Sequence, residues 1–278
     1  MASDQAGDLD GGMARGPGSL PFDTSVAHLA RMYDYLLGGK DNYAADRAAV
    51  EAALEFFPDM AFTARANRAF LGRAVRFLAG RAGIRQFLDI GTGIPTAGNT
   101  HQVAQAIAPE ARVVYVDYDP VVLAHARALL SSSVEGATSY VDADLRSTAT
   151  ILEQASQLLD FTQPVAVTML AILHSIPDTD DPYAIVATVL DAVPAGSYLA
   201  ISHAGAELLD RRAQQGVLGT WSGKVQQELI YRSREQVARF FEGTELVDPG
   251  LVPVEEWRPG PGQAQGRSAG WCAIGRKR

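Results

Sequence analysis

The chain has 278 residues and a formal net charge of −8. That length fits one large α/β domain or a domain with a cap, and the acidic balance disfavours a nucleic-acid partner, because affinity for phosphate backbones comes mainly from Lys and Arg. The single cysteine, Cys272, excludes an intrachain disulfide and any Cys-based metal site.

Residues 1–20 are rich in Gly, Asp and Ala and are expected to form a flexible tail. Asp4, Asp8 and Asp10 stand where a signal peptide would carry positive charge, and the longest apolar run, 165–173, is far too short to span a bilayer. A cytoplasmic protein with no membrane partner is the expectation. Residues 21–83 read as an N-terminal helical cap. Val50, Ala53, Leu54 and Phe57 share one helical face, as do Ala66, Phe70, Ala74 and Phe77. The turn Gly38-Gly39-Lys40-Asp41-Asn42 interrupts the cap with residue types that favour loops. Lysine occurs only at positions 40, 224 and 277, which makes Lys40 conspicuous. If the cap folds over a pocket, this turn is a lid that would bring Lys40 or Asp41 to a substrate. Otherwise Tyr33 and Tyr35 are core residues of a cap helix and Lys40-Asp41 is a solvated turn. Arg65, Arg68 and Arg76 lie on one helical face, either as receivers of an anionic group or as a solvated face.

Residues 84–278 alternate between apolar runs and helical stretches. Runs at 86–90, 112–117, 138–142, 164–171 and 197–202 are separated by helices expected at 97–108, 121–132, 147–159, 181–192 and 204–216, the pattern of a doubly wound, mostly parallel sheet. Ser233 and Gln236 match a capping box that opens a short helix over 234–241, and 244–248 and 269–275 read as closing strands, the latter holding Cys272.

The segment Phe87-Leu88-Asp89-Ile90-Gly91-Thr92-Gly93 is a buried strand breaking into a tight glycine turn, of the kind that brings backbone amides close to a nucleotide-like ligand. A dinucleotide fingerprint would place a small residue where Thr96 stands, after Pro95, and Asp89 beside the turn would repel a pyrophosphate. The same acid suits a ligand carrying an ammonium or a sulfonium, and S-adenosylmethionine carries both. Asp117 closes the next apolar run at the spacing of a carboxylate that accepts from ribose hydroxyls, and Pro120 opens a helical run with Val122, Ala126, Leu129 and Leu130 on one face.

These segments resemble a known family. FLDIGTG (87–93) followed by VVYVDYDP (113–120) looks like the first two motifs of the class I S-adenosylmethionine-dependent methyltransferases; YVDADLR (140–146) and VTMLAILHSIPD (167–178) are similar to the third and fourth. RMYDYLLGGKDNYAADR (31–47) and ARANRAFL (64–71) resemble a narrower bacterial group, named S-adenosyl methyltransferases and first catalogued as a domain of unknown function. The resemblance covers about 25–278 and implies a Rossmann-like, seven-stranded sheet closed by an antiparallel edge hairpin. It also implies cofactor contacts. The amides of Gly91, Thr92 and Gly93 would face the methionine carboxylate and Asp89 the amino group. Asp117 would take the ribose and Tyr118 lie against the adenine. Asp144, ahead of Asp142 two residues earlier, would accept from the adenine amine, with the Leu145 amide beside it and Ala171 closing the set at the end of the fourth strand.

Methyl transfer needs alignment in a dry cavity more than general catalysis, and a base only for a protonated nucleophile. His174, just after the fourth strand, is the leading candidate, and His203, after the fifth, the second. Either also suits a purely structural role. No Asn/Asp-Pro-Pro-aromatic sequence follows the fourth strand, which disfavours base amines and glutamine amides as acceptors, and no catechol-type acidic cluster suggests a metal. The expectation is therefore an S-adenosylmethionine-dependent enzyme methylating a small molecule, oxygen before nitrogen, its oligomeric state open and a homodimer included. The alternatives are a noncatalytic module binding S-adenosylmethionine or S-adenosylhomocysteine and a nicotinamide-dependent oxidoreductase.

Overall fold

The computed structural model describes residues 23–129, 132–260 and 266–278; the tail expected over 1–20 lies outside them. Three helices come first: α1 (Leu29–Leu36), α2 (Ala44–Leu54) and α3 (Met60–Arg76). The core then runs β1 (Gln86–Ile90), α4 (Thr100–Gln105), β2 (Arg112–Asp117), α5 (Pro120–Leu129), β3 (Ala137–Asp142), α6 (Thr148–Ala155), β4 (Ala166–Leu170), α7 (Pro182–Asp191) and β5 (Tyr198–Ala204). It ends with α8 (Arg211–Trp221), α9 (Arg234–Arg239), β6 (Thr244–Leu246), β7 (Val252–Pro253) and β8 (Gly270–Lys277). None of the described helices is long and apolar enough to cross a membrane.

The strand order is β3-β2-β1-β4-β5-β8-β6, with β7 also paired to β8. Strands β1 to β5 run parallel, and β8 lies antiparallel to β5, β6 and β7. The sheet therefore has an eighth strand beyond the expected seven. Its two residues include a proline, which lacks a ladder donor and hides the strand from any alternation test. The order reverses between β1 and β4, so the carboxyl ends of these strands flank the crevice where doubly wound sheets bind ligands.

Two apolar layers cover the sheet. One face packs Ile90, Val116, Val167 and Met169 against Ile151, Val186 and Val189. The other packs Phe87, Val113 and Ile274 against Phe70, Ala74 and Leu78. The second layer changes the domain reading: α3 is a sheet-covering helix whose first half reaches the crevice, rather than a wholly separate cap element. Its Arg73 is buried and donates to the carbonyls of Trp257 at 2.6 Å and Val254 at 2.5 Å, which fastens the helix to the end of the chain.

The cap proper is assembled from two distant segments. Met32, Val50, Phe57 and Met60 pack against Val217 and Trp221 of α8, and the Trp221 indole donates to the Ala49 carbonyl at 3.0 Å. The helix expected over 204–216 thus begins seven residues later and leaves the sheet to roof the crevice. Asp210 sets that start by accepting from the Ala213 amide at 2.9 Å, an N-cap bond. Ser233 caps α9 with Gln236, as its spacing predicts.

Candidate active site

The crevice opens into a cavity of about 230 Å³ between the tips of β1, β2, β4 and β5 and the roof. At its floor the β1 turn bends through Gly91 and Gly93, at φ +74° and +65°. A Cβ on Gly91 would lie 2.6 Å from the Cβ of Ile172, so this glycine serves both a left-handed backbone and a close approach between the tips of β1 and β4. Gly91→Ala is expected to cost about 1–2 kcal/mol from φ alone and to abolish S-adenosylhomocysteine binding by pushing Ile172 into the crevice. Thermal unfolding and calorimetric titration check both effects, and a variant that matches the parent in each refutes the assignment.

Gly91, Thr92 and Gly93 line the cavity, and their amides are bonded within the protein. Those of Gly91 and Thr92 donate to the Val116 carbonyl at 2.8 and 3.2 Å, and that of Gly93 to Asp117 Oδ2 at 2.8 Å. Helix α4 starts only at Thr100. Its first turn is also engaged, with Tyr115 Oη accepting from the His101 amide at 2.8 Å and Gln102 Oε1 from the Asn99 amide at 3.0 Å. Arg68 supplies the permanent positive charge in the cavity wall. It donates to the carbonyls of Thr96 and Ala97 at 3.3 and 3.2 Å and to Asn99 Oδ1 at 2.8 Å. Arg65 and Arg76, on the same helix, are exposed.

Asp89 is buried and accepts from the hydroxyls of Thr100 and Thr168, both at 2.6 Å; strand pairing places Thr168 directly beside it. Burial pushes its carboxyl above the usual range. Asp117 accepts from the amides of Tyr118 at 2.8 Å, Asp119 at 3.1 Å and Gly93, and burial raises it as well. Next to it lies a smaller hollow of about 30 Å³ lined by Ile90, Val116, Ala143, Ile176 and the pair Asp144 and Leu145. Asp144 sits at this hollow, paired to Arg146 at 2.8 Å, while Asp142 is exposed and lines neither cavity. Tyr118 borders both spaces, its hydroxyl accepting from Gln227 Nε2 at 2.9 Å.

Ala171 turns the chain at the end of β4 with φ +55°, a strained value for a residue bearing a Cβ. Its amide donates to Ser202 O at 3.1 Å and Ser202 Oγ at 2.9 Å. The relay continues upward: Ser202 Oγ donates to Asn67 Oδ1 at 2.6 Å, Asn67 Nδ2 to Tyr33 Oη at 3.0 Å, and Tyr33 Oη to the Ala64 carbonyl at 3.0 Å.

His174 lies on the 3-10 turn Leu173–Ser175 and lines the cavity. Its Nδ1 is sealed from solvent and has no hydrogen-bond partner. Burial, then the charge of Arg232, pushes the imidazole down to about 4, so it is neutral near pH 7. His203 meets it edge-on, ring centres 5.8 Å apart, but cannot share its role. Its Nδ1 contacts the Ala204 carbonyl at 2.9 Å and its Nε2 the Arg232 guanidinium at 2.8 Å. A guanidinium only donates and a carbonyl only accepts, so the ring is one neutral tautomer with no free lone pair. His203 is withdrawn as a base.

Lys40 and Asp41 are corrected too, since neither lines the cavity. The turn is gathered around Asp34, whose Oδ2 accepts from the Asp41 amide at 2.9 Å and Asn42 Nδ2 at 2.8 Å. Asp41 faces His125 of α5 at 3.5 Å, and the Lys40 side chain is exposed. Tyr33 and Leu36, one helical turn earlier, are what reach the cavity. The polar residues missed in the sequence are Asn67, Ser202, Gln227, Tyr231 and Arg232. Three of them fall in the aperiodic stretch 222–233, where no spacing rule applies.

A reversed parallel sheet with acids at the tips of β1 and β2 and an apolar hollow beside them defines a nucleoside-binding crevice. The profile of the family described as S-adenosyl methyltransferase matches residues 17–278. A DUF574-family crystal structure from Streptomyces avermitilis MA-4680 is 46% identical, covers 92% of this chain and 99% of its own, and superposes with a TM-score of 0.89. A methyltransferase candidate from Thermobifida fusca YX is 41% identical over 92% of this chain and 97% of its own, with a TM-score of 0.82. An S-adenosylmethionine-dependent methyltransferase from Anabaena variabilis ATCC 29413, 14% identical over 69% of this chain and 77% of its own at a TM-score of 0.50, shares the fold alone. No curated protein matches the chain. The chain belongs to the S-adenosyl methyltransferase family, a class I methyltransferase whose cofactor is S-adenosyl-L-methionine. That membership retires the oxidoreductase alternative. The residues present fit the cofactor: a Cβ-free cradle at Gly91, a buried acid at the β2 tip, and an apolar hollow with an acid at its rim.

Proposed function

We propose that this enzyme methylates a small molecule at oxygen in preference to nitrogen, with His174 as the group that holds the acceptor and receives its proton. The observation that supports this most is a neutral imidazole in the wall of a roofed cavity that adjoins the cofactor crevice, with no protein group bonded to its Nδ1. In this reading Asp117 takes the ribose hydroxyls, Tyr118 borders the adenine, and Asp144 and the Leu145 amide hold the adenine edge. Asp89, with one hydroxyl already on each oxygen, keeps lone pairs for the ammonium. Arg68 takes the methionine carboxylate in place of the turn amides, as a fixed cation does well in a partly dry site.

When bound, S-adenosylmethionine supplies a methyl group already activated on a sulfonium. The roof excludes water from the acceptor, and alignment of this kind is worth several kcal/mol. His174 accepts the hydrogen bond of the acceptor hydroxyl and takes its proton as the new bond forms. Because the imidazole charges only near pH 4, its accepting form persists throughout the neutral range. Turnover is therefore expected to stay flat from about pH 6 to 8, where an ordinary histidine would give a fall through about 6.5.

A screen of hydroxyl and amine acceptors, read as S-adenosylhomocysteine formed, tests the reading. His174→Asn is expected to leave S-adenosylhomocysteine affinity within about twofold and lower turnover by about 10²-fold or more. Full turnover in that variant, or turnover confined to amines, overturns the proposal.

A further inference from the structure

We infer that the acceptor chamber, resting on the reading above, takes an uncharged, predominantly apolar alcohol or phenol and excludes acids and amines in their charged forms. Away from the cofactor side, its walls are Met32, Phe57, Met60, Trp221, Leu229 and Val254, drawn from four separate stretches of chain. No Asp, Glu, Lys or Arg joins them: the cavity's acids, Asp89 and Asp117, stand at the β1 and β2 tips, and its arginine, Arg68 of α3, is tied to the loop after β1.

Most polar groups of the chamber are already engaged. Asn67 and Ser202 are links of the relay under Ala171. Thr63 Oγ1 accepts from the Ala269 amide at 3.1 Å, and His203 is held by Ala204 and Arg232. Two groups differ. The His174 ring lines the chamber with no protein group bonded to its Nδ1, and Tyr231 lines it half-buried, burial pushing its hydroxyl up. Both residues line the chamber, and the Ile230 amide, next to Tyr231 in the chain, donates to the His174 carbonyl at 2.8 Å. Buried polar groups are nearly always satisfied, and one that is not calls for a ligand. One neutral acceptor and one hydroxyl, lining the same apolar chamber, match one hydroxyl on an apolar body. A carboxylate or ammonium there would lose its hydration and find no countercharge.

The test uses three compounds with one ring system: 1-naphthol, 1-naphthoate and 1-naphthylmethylamine, titrated calorimetrically at pH 7.5 into the full chain saturated with S-adenosylhomocysteine. 1-Naphthol is expected to bind at least tenfold tighter than either ion. Tyr231→Phe should weaken 1-naphthol about fivefold and leave S-adenosylhomocysteine affinity unchanged. Leu229→Lys, at a half-buried wall position that tolerates a long side chain, should reverse the preference towards 1-naphthoate. Equal binding of the three, a preference for an ion in the parent chain, or no 1-naphthol binding overturns the inference. Loss of S-adenosylhomocysteine binding in the parent chain is a separate outcome that overturns the methyltransferase reading itself.

Discussion

Arg232→Met is expected to destabilise the protein by about 3 kcal/mol or more. The guanidinium is 1% exposed and donates to the carbonyls of Leu173 at 2.9 Å and Ile176 at 2.8 Å, to His203 Nε2 and to Asp178. The Asp178 side chain is largely exposed, so that ion pair contributes little. The loss comes from two carbonyls and one imidazole nitrogen left without a donor under the roof, each costing about 1–3 kcal/mol. A second effect separates this account from simple loss of packing. Burial is the larger cause of the low His174 value and Arg232's charge adds to it, so the imidazole should become more basic in the variant and the acid limb of the pH profile move upward. Urea unfolding and an NMR titration of His174 measure the two effects. A stability change under about 1 kcal/mol with an unmoved His174 refutes the assignment.

Asp117→Ala should lower S-adenosylhomocysteine affinity at least a hundredfold, about 2.8 kcal/mol. On the proposed assignment the ribose hydroxyls lose their acceptor, and the three amides that aim the carboxylate lose their partner. Asp117→Asn separates the two contributions. Its remaining oxygen can keep the bonds from Tyr118 and Asp119, whereas its NH2 cannot accept from Gly93 or the ribose, so affinity should fall about tenfold or more with stability nearly kept. Unchanged affinity in both variants would mean that another group holds the ribose.

The first two strands were legible to the residue, because a fully buried parallel strand is a continuous apolar run ended by an acid. The crevice followed from those ends. The roof did not, because α8 sits in a stretch whose amphipathic period fits a sheet-covering helix equally well, and periodicity reports that a face is buried without naming what buries it. The bonding of the turn amides was not legible for a related reason. A glycine turn shows that the backbone comes close to something, and here that is largely the Val116 carbonyl and the Asp117 carboxylate. His203 looked equivalent to His174 from its place after a strand. Only the three-dimensional structure shows Arg232, twenty-nine residues on, occupying its second nitrogen.

The roof has a consequence for biosynthesis. Phe57 and Met60 precede every sheet strand, whereas Trp221 and Leu229 follow the fifth, and Ala27 pairs with Val225 by backbone bonds of 3.1 Å to Lys224 and 2.9 Å from Gln226. On the ribosome, the residues of the crevice floor are therefore all synthesised while the acceptor chamber still lacks a wall. The nascent polypeptide carries the residues of the nucleoside crevice before it carries those that close the chamber above it.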